Sequence, residues 1–266
     1  MSDDRDYPKL KNQPLTLVLA EFRINALNLD AGSSAAFRGA ISDWLGVECI
    51  ERVRQAVSFD QGGVRIDAGT YLCWDAPESG QWVQLEAQRL IYATTRYPRF
   101  DRFSAQCREI LSHLADVFEV RDLQRVGLRY NDCVVPDSDE NLVNYLHSEF
   151  LPSAHIAKRR PVVRHGIETL LETETGQIAI RCMVGMHGLA VMPDVRQQFN
   201  SLPVDEVPVD RAVAVLDFDH FWQASTRKAI EFSVDAALGK LGELHKPARQ
   251  AFWQVTTEYA RSEKWR

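Results

Sequence analysis

The chain lacks the sequence patterns by which common enzymes and membrane proteins are recognised. It has no Walker loop, no dinucleotide-binding glycine fingerprint, no G-x-S-x-G, no H-E-x-x-H and no C-x-x-C pair. No apolar run reaches the ~18 residues that a membrane helix needs, and residues 1–6 are polar, unlike a signal peptide. These absences predict a protein with no familiar catalytic centre, no cofactor and no membrane segment.

Cysteines are few, and basic residues do not outnumber acidic ones. The five cysteines show no spacing typical of zinc sites or disulfide frameworks, so we interpret them as free thiols in a reducing cytoplasm. A net charge of -6 does not favour nucleic acid or anionic membranes as partners. The densest basic run, Lys158 to Arg164, is interpreted as a solvated loop, with a site for a phosphate or an acidic partner segment as the alternative.

What the chain does contain is enough apolar material for a large core. Its 266 residues are 45% hydrophobic, which suffices for one large or two small domains. Period-two and period-three-to-four patterns predict an α+β fold in which antiparallel sheets are packed by long amphipathic helices. The predicted strands are residues 14–24, 57–59, 64–66, 71–74, 82–85, 90–94, 123–134, 165–172, 177–186 and 212–216. The predicted helices are residues 34–47, 100–118 and 141–150, followed by two helices after residue 225 that join at Lys246-Pro247.

A short repeat predicts two related halves, residues 1–136 and 137–266. Phe100-Asp101-Arg102-Phe103 and Phe218-Asp219-His220-Phe221 are both predicted to lie where a strand gives way to a long helix. Asp101 and Asp219 are then the helix N-caps. The alternative to duplication is that both matches reflect common helix-start chemistry, in which Asp caps and Phe packs.

Several segments resemble a sporadically distributed family of prokaryotic proteins of about this length. They are residues 14–23, 97–100, 128–132, 216–219 and 244–265. The resemblance covers nearly the whole chain and implies an intact two-half α+β protein, but it implies no activity, substrate or catalytic residue. A twisted antiparallel sheet followed by a long helix is also similar in architecture to export chaperones of the SecB type, a likeness that says little about function.

The best candidate for catalysis is the run Asp217-Phe218-Asp219-His220. Two carboxylates two residues apart at a strand end can share one face, with the adjacent imidazole as acid, base or metal ligand. This arrangement predicts a hydrolase or nuclease. The structural alternative is that Asp219 caps a helix, Asp217 faces solvent and His220 begins the helix.

Two further groups carry weaker signals. Met186-His187-Gly188 with Asp194 offers a second possible ligand or base cluster. Asp132 beside Cys133 offers a thiol next to a carboxylate, but a carboxylate raises a thiol pKa, so we interpret Cys133 as a core residue.

Arginines on or near predicted strands are candidates for binding an anion or a partner. Lying on one sheet face, they would line a groove, whereas the alternative is cross-strand pairing with Glu21 or Glu86. These arginines are Arg23, Arg96, Arg99, Arg125 and Arg129.

The C-terminal aromatics are too many for one buried stripe. Trp253 is turned about 100° from Phe252 on a helix, so either the chain's own sheet or a partner covers it. We therefore name Trp253, Trp265, Arg125 and Arg129 as candidate partner-binding residues. The resulting hypothesis is a cytoplasmic binding protein that engages another protein or itself, in a chaperone-like or antitoxin-like role.

Overall fold

The computed structural model describes residues 7–60, 63–157, 162–186, 188–224 and 229–266, without the side chains of residues 54–68 and 156–157. The chain has an α+β fold built on one antiparallel ten-stranded sheet with the order β2-β3-β4-β5-β1-β6-β9-β8-β7, and β10 also pairs with β6. The strands are β1 (Leu15–Ile24), β2 (Cys49–Asp60), β3 (Gly63–Ala76), β4 (Gln81–Glu86), β5 (Arg89–Thr94), β6 (Asp122–Val134), β7 (Arg164–Glu172), β8 (Gln177–Gly185), β9 (Val213–Gln223) and β10 (Ile230–Glu231).

The sheet runs without interruption across the predicted boundary at residue 136. The central pair is β1 and β6, which are antiparallel. Outward from β1 the order is β5, β4, β3 and β2, and outward from β6 it is β9, β8 and β7. β5 pairs with β1, and β9 pairs with β6.

Helices α1, α2 and α5 pack on one face of the sheet, which we name the helix face. The helices are α1 (Ala31–Leu45), α2 (Phe100–Val117), α3 (Ala154–Ala157), α4 (Pro193–Gln198) and α5 (Val234–Val255). The amide of Ser33 donates to the Asp30 carboxylate at the start of α1. That helix ends at Gly46, whose φ of 71° is one that glycine adopts at little cost.

Two cores result from the alternation of side chains along the strands. The larger lies on the helix face and includes Phe22, Trp74, Leu128 and Phe218. The smaller lies on the opposite face, where Met192 and Phe199 of the α4 region cover Trp82 and Val215. Within the described residues, no helix combines the length and the apolar content that crossing a bilayer requires.

Three local predictions were wrong. The predicted strands around residues 64–66 and 71–74 are one strand, β3, which runs through Gly69. The predicted helix at residues 141–150 consists of two short 3-10 turns, Leu142–Asn144 and Ser148–Phe150. The two predicted C-terminal helices are the single helix α5, which contains Pro247.

The two F-D-x-F segments do not occupy equivalent places. Asp101 lies in the first turn of α2, whose N-cap is Arg99. Asp219 lies inside β9, and the N-cap of α5 is Ser233, whose hydroxyl accepts from the amide of Ala236. The strand order is β2-β3-β4-β5-β1 on one side of the sheet centre and β6-β9-β8-β7 on the other.

Candidate functional site

The candidate site is a cavity of about 410 Å³ on the helix face, which we name the Asp132 cavity. Its walls come from the N-terminal segment, the residues that precede α2, the strands β6 and β9, and helix α5. Its lining is Pro8, Lys9, Leu10, Gln13, Leu15, Tyr97, Pro98, Arg99, Phe100, Asp101, Tyr130, Asp132, Phe218, Gly242, His245, Ala248, Arg249, Phe252 and Trp253.

Two small residues on the inner side of α5, Gly242 and Ala248, leave room for this cavity. Gly242, His245, Ala248 and Phe252 follow one another at steps of three and four, which puts them on one side of the helix. A Cβ atom built on Gly242 would meet nothing within 4 Å. The helix therefore passes the sheet here without filling the gap.

Asp132 is the acid in the interior of this cavity. On β6, Tyr130 and Asp132 continue the row of side chains that Val126 and Leu128 present to the helices. Asp132 is only 4% exposed, and its carboxyl group makes no hydrogen bond or ion pair within the residues that the structure describes. Burial raises the pKa of Asp132 to about 8, to which the nearby charge of Asp217 adds, so the group is mostly protonated at neutral pH.

A tyrosine and a histidine lie beside Asp132. The Tyr130 hydroxyl is 2.8 Å from Nδ1 of His245. The His245 ring stacks on Phe100, with 4.1 Å between ring centroids and 3° between the planes. Burial raises the pKa of Tyr130 well above its ordinary value, and a hydrogen bond to Tyr97 adds to the shift. Tyr130 is therefore a neutral hydrogen-bonding group at any ordinary pH.

The rest of the wall is largely aromatic, and most of the charge lies at the rim. Tyr97, Phe100, Phe218, Phe252 and Trp253 present rings to the cavity. The charged side chains exposed at its mouth are Lys9, Arg99 and Asp101.

Arg249 has a partner of its own at the edge of the cavity. Its guanidinium group donates to the main-chain carbonyl of Tyr7 and lies 5.7 Å from the centre of the Tyr7 ring. The N-terminal segment is thereby held against α5.

The predicted acidic cluster lies elsewhere, in a charged network on the opposite face of the sheet. The structural alternative to catalysis predicts that Asp217 faces solvent. This prediction was wrong, because the side chain of Asp217 is fully buried. Arg129 donates to Asp217 through Nε at 2.7 Å and Nη2 at 2.8 Å, and Arg181 and Asn131 donate at 2.8 and 2.9 Å. Arg129 also binds Asp194 of α4 at 2.7 Å. This network fixes α4 to the sheet.

The structure does not bring His220 to the two aspartates. Asp217 and Asp219 do share one face of β9, as the spacing predicts, and burial raises the pKa of Asp219. His220 points to the other face, where Nδ1 donates to the Leu244 carbonyl at 2.8 Å and Nε2 lies 2.9 Å from the Thr173 hydroxyl. Burial lowers the pKa of His220, which keeps the ring neutral. The prediction that His220 begins a helix was wrong, because β9 continues to Gln223.

The candidate arginines on the strands pair with acids across the sheet. Glu21 on β1 accepts from Arg23 at 2.8 Å and from Arg89 at 3.3 Å. The Nε atom of Arg125 lies 3.4 Å from the same carboxylate, and its guanidinium carbon is 3.9 Å from the centre of the Phe221 ring. Arg23, Arg89 and Arg125 therefore follow the alternative of pairing with an acid on the sheet. Arg99 instead lies at the mouth of the Asp132 cavity.

The candidate tryptophans pack within the chain. Trp265 is 6% exposed and lies 5.8 Å from Phe252, measured between ring centroids. Trp253 contacts Tyr7 at 5.4 Å, and the Arg261 guanidinium lies 4.7 Å from its ring centre. Trp253 also lines the cavity, next to the N-terminal segment.

The weaker candidates have structural explanations or lie outside the described residues. Burial, with a smaller effect from Asp132, raises the pKa of Cys133 to about 12, which agrees with the interpretation of an unreactive thiol. All five cysteines are free. His187 and residues 158–161 lie outside the described residues. Within the described part of the chain, no group of three or more His, Cys, Asp or Glu side chains is placed to hold a metal ion.

Reasoning from the sequence did not identify Asp132, Tyr130 and His245 as a site. A usable signal was present, because the alternation of β6 places Asp132 in the same row as Val126, Leu128 and Tyr130. An acid in an apolar row is unusual. Neither protein-family models nor curated proteins match this chain, so its function has to be argued from the site.

Proposed function

We propose that the protein is a binding protein and that the Asp132 cavity holds part of its ligand. The observation that carries this proposal is a nearly buried carboxyl group, without a partner among the described residues, in a cavity lined by aromatic rings. Buried polar groups in folded proteins are almost always hydrogen-bonded, so the Asp132 carboxyl group is available to bond a ligand that enters the cavity. The volume of about 410 Å³ also lies within the usual range for ligand sites.

The proposal places the protein in the cytoplasm and takes another protein or a small molecule as the ligand. Five free cysteines support a reducing compartment. The net charge of -6 supports neither nucleic acid nor an anionic membrane as the ligand.

We also propose that the two halves arose by duplication. The matching strand order on either side of the β1–β6 pair supports this, together with the long helix that follows β5 in one half and β10 in the other.

The alternative function, a hydrolase or nuclease at Asp217, Asp219 and His220, is favoured by no observation. Asp217 is already bonded to Arg129, Arg181 and Asn131, and His220 lies on the other face of the sheet.

Two glycines on α5 provide a matched test of the cavity. Gly242 lines the cavity, whereas Gly239 lies one turn earlier and is exposed, and a Cβ atom on either glycine meets nothing within 4 Å. Gly242→Leu places a side chain into the cavity, and Gly239→Leu makes the same chemical change outside it.

The measurement is ligand-observed NMR screening of a library of small aromatic compounds, followed by calorimetric titration of those that bind. We expect compounds that bind the native protein and Gly239→Leu equally, and Gly242→Leu at least about tenfold more weakly, a loss of about 1.4 kcal/mol. Equal binding to both variants, or no binding compound at all, would overturn the proposal.

A further inference from the structure

We propose that the group recognised in the Asp132 cavity is an organic cation, an alkylammonium or guanidinium group, which forms an ion pair with the Asp132 carboxylate. This inference rests on the proposed binding function and specifies its ligand class. The class has two possible sources, a free amine or guanidine compound and a Lys or Arg side chain of a protein.

The first step of the argument is that Asp132 has an unused ability to bind a cation. Asp132 is only 4% exposed, and no group within the described residues forms a hydrogen bond or ion pair with its carboxyl group. An isolated buried carboxylate is strongly disfavoured, which is why this group holds its proton at neutral pH. A cation that enters the cavity supplies the missing partner.

The second step is the aromatic wall. Organic cations are attracted to the faces of Trp, Tyr and Phe rings, and the attraction grows when water is excluded. Tyr97, Phe100, Tyr130, Phe252 and Trp253 line the same cavity as Asp132. An inorganic cation gains little from such a wall, whereas an alkylammonium or guanidinium group also buries its apolar part there.

The third step is an inventory of the other charged and titratable groups around Asp132. Arg249 on α5 is bonded to the Tyr7 carbonyl, and Tyr130 and His245 contact each other. The groups at the mouth are Lys9, Arg99 and Asp101, and their charges partly cancel. Tyr97 forms a hydrogen bond with Tyr130. Asp217 lies on the opposite face of the sheet, where it pairs with Arg129.

Proton linkage follows from this arrangement. The native group is protonated below its pKa of about 8, so a cation that pairs with the carboxylate displaces one proton. Affinity for the cation therefore rises by up to about tenfold per pH unit below that pKa and levels off above it. Affinity for a neutral compound of the same shape does not change in this way.

The test compares benzylguanidinium with benzylurea, a neutral compound of nearly the same shape. Both are titrated by calorimetry at several pH values from about 6 to about 8 into the native protein, Asp132→Asn and Asp116→Asn. Asp116 is an exposed acid on α2 outside the cavity, so Asp116→Asn controls for loss of one negative charge. Circular dichroism checks that both variants retain the fold.

We expect the native protein and Asp116→Asn to bind benzylguanidinium at least about tenfold more tightly than benzylurea at the upper pH, with affinity rising with pH. In Asp132→Asn this preference and its pH dependence are lost, while benzylurea binds as before. If benzylurea binds as tightly as the cation, or if Asp132→Asn retains the preference, the inference is wrong while the binding function stands. If neither compound binds and the NMR screen is also negative, both proposals fail.

A second pair of probes identifies the source of the cation. A capped Gly-Gly-Arg-Gly-Gly peptide is compared with the same peptide in which citrulline replaces arginine. A preference for arginine, with affinity at least equal to that for benzylguanidinium, assigns the cation to a protein side chain. Binding of benzylguanidinium without binding of the arginine peptide assigns it to a small molecule. If neither cation binds more tightly than its neutral counterpart, the inference is wrong.

Discussion

Among single residues, Asp132 is one whose protonation state at neutral pH the fold changes. Its pKa is about 8 in the folded protein, against an ordinary value of 3.8, so the folded state binds more protons between these values. Native stability therefore falls as pH rises from about 4 and levels off above about 8, at about 1.4 kcal/mol per pH unit from this group alone.

Asp132→Asn removes this contribution. We expect urea unfolding at a series of pH values to show that the free energy of unfolding of Asp132→Asn, relative to the native protein, increases between pH about 4 and about 8. Asp116→Asn serves as the control and follows the native curve. A constant difference between Asp132→Asn and the native protein across this range would show that Asp132 is ionised in the folded state.

Asp217 and Asp219 stand two residues apart on β9 and should respond very differently to substitution. Asp217→Asn removes the charge that compensates Arg129, whose side chain is only 13% exposed, and should cost about 3–5 kcal/mol of unfolding free energy. Asp219 has only a 3.7 Å ion contact with Arg181, and Asp219→Asn should cost less than about 1 kcal/mol. Urea unfolding of the two variants measures the difference, and equal costs would refute the role assigned to Asp217.

The sequence explains part of this result. Period-two alternation correctly places both aspartates on one face. The sequence nevertheless predicts that the strand ends at Leu216, because Asp-Phe-Asp-His is also typical of a helix start. Arg129 and Arg181 on the neighbouring strands stabilise the carboxylates within the sheet. These contacts join residues far apart in the chain, so no short sequence pattern predicts them.

Among the elements, α5 has a side-chain cap at its N-terminus. Ser233 is its N-cap, and its hydroxyl accepts from the amide of Ala236 at 3.0 Å. Ser233→Ala should lower the free energy of unfolding by about 1 kcal/mol because that amide loses its partner. Ser138→Ala, at an exposed turn, is the control and should leave urea unfolding unchanged. An unchanged Ser233→Ala variant would show that water replaces the cap.

The bounds of the long elements were predictable where the pattern was long and amphipathic. The predicted helix at residues 100–118 is α2, and the predicted strand at residues 123–134 is β6. The helix break at Pro247 was not real, because packing of α5 against the sheet outweighs the single backbone bond that a proline removes. Local propensity is a weak guide where tertiary packing is extensive.

In the whole molecule, the central strands bind the two halves together. A fragment of residues 1–136 contains β6 but lacks β9, its second neighbour, and lacks α5, which packs on α2. We expect this fragment to show no cooperative unfolding transition by circular dichroism. Mixing it with residues 137–266 should restore a transition. A cooperative transition in the isolated fragment would show instead that the first half is an independent domain.

The fold class was predictable from the sequence, but the Asp132 cavity was not. Composition and periodicity correctly predict an α+β fold with antiparallel strands and long helices. The cavity needs the register of β6 against β9 and the position of α5, which depend on contacts between residues about a hundred positions apart. Asp132 and His245 lie in segments noted for the family resemblance, yet nothing local places them together.

The composition of the cavity wall also determines the stage of folding at which the proposed ligand could first bind. Its lining includes both Pro8 and Trp253, so the segments that contain these residues must meet before the cavity exists. During synthesis, the emerging polypeptide therefore has no binding competence until α5 has left the ribosome and docked. A ligand of the proposed kind would therefore stabilise, by mass action, only molecules in which α5 has docked, and chains that have not reached this stage would be left to quality control.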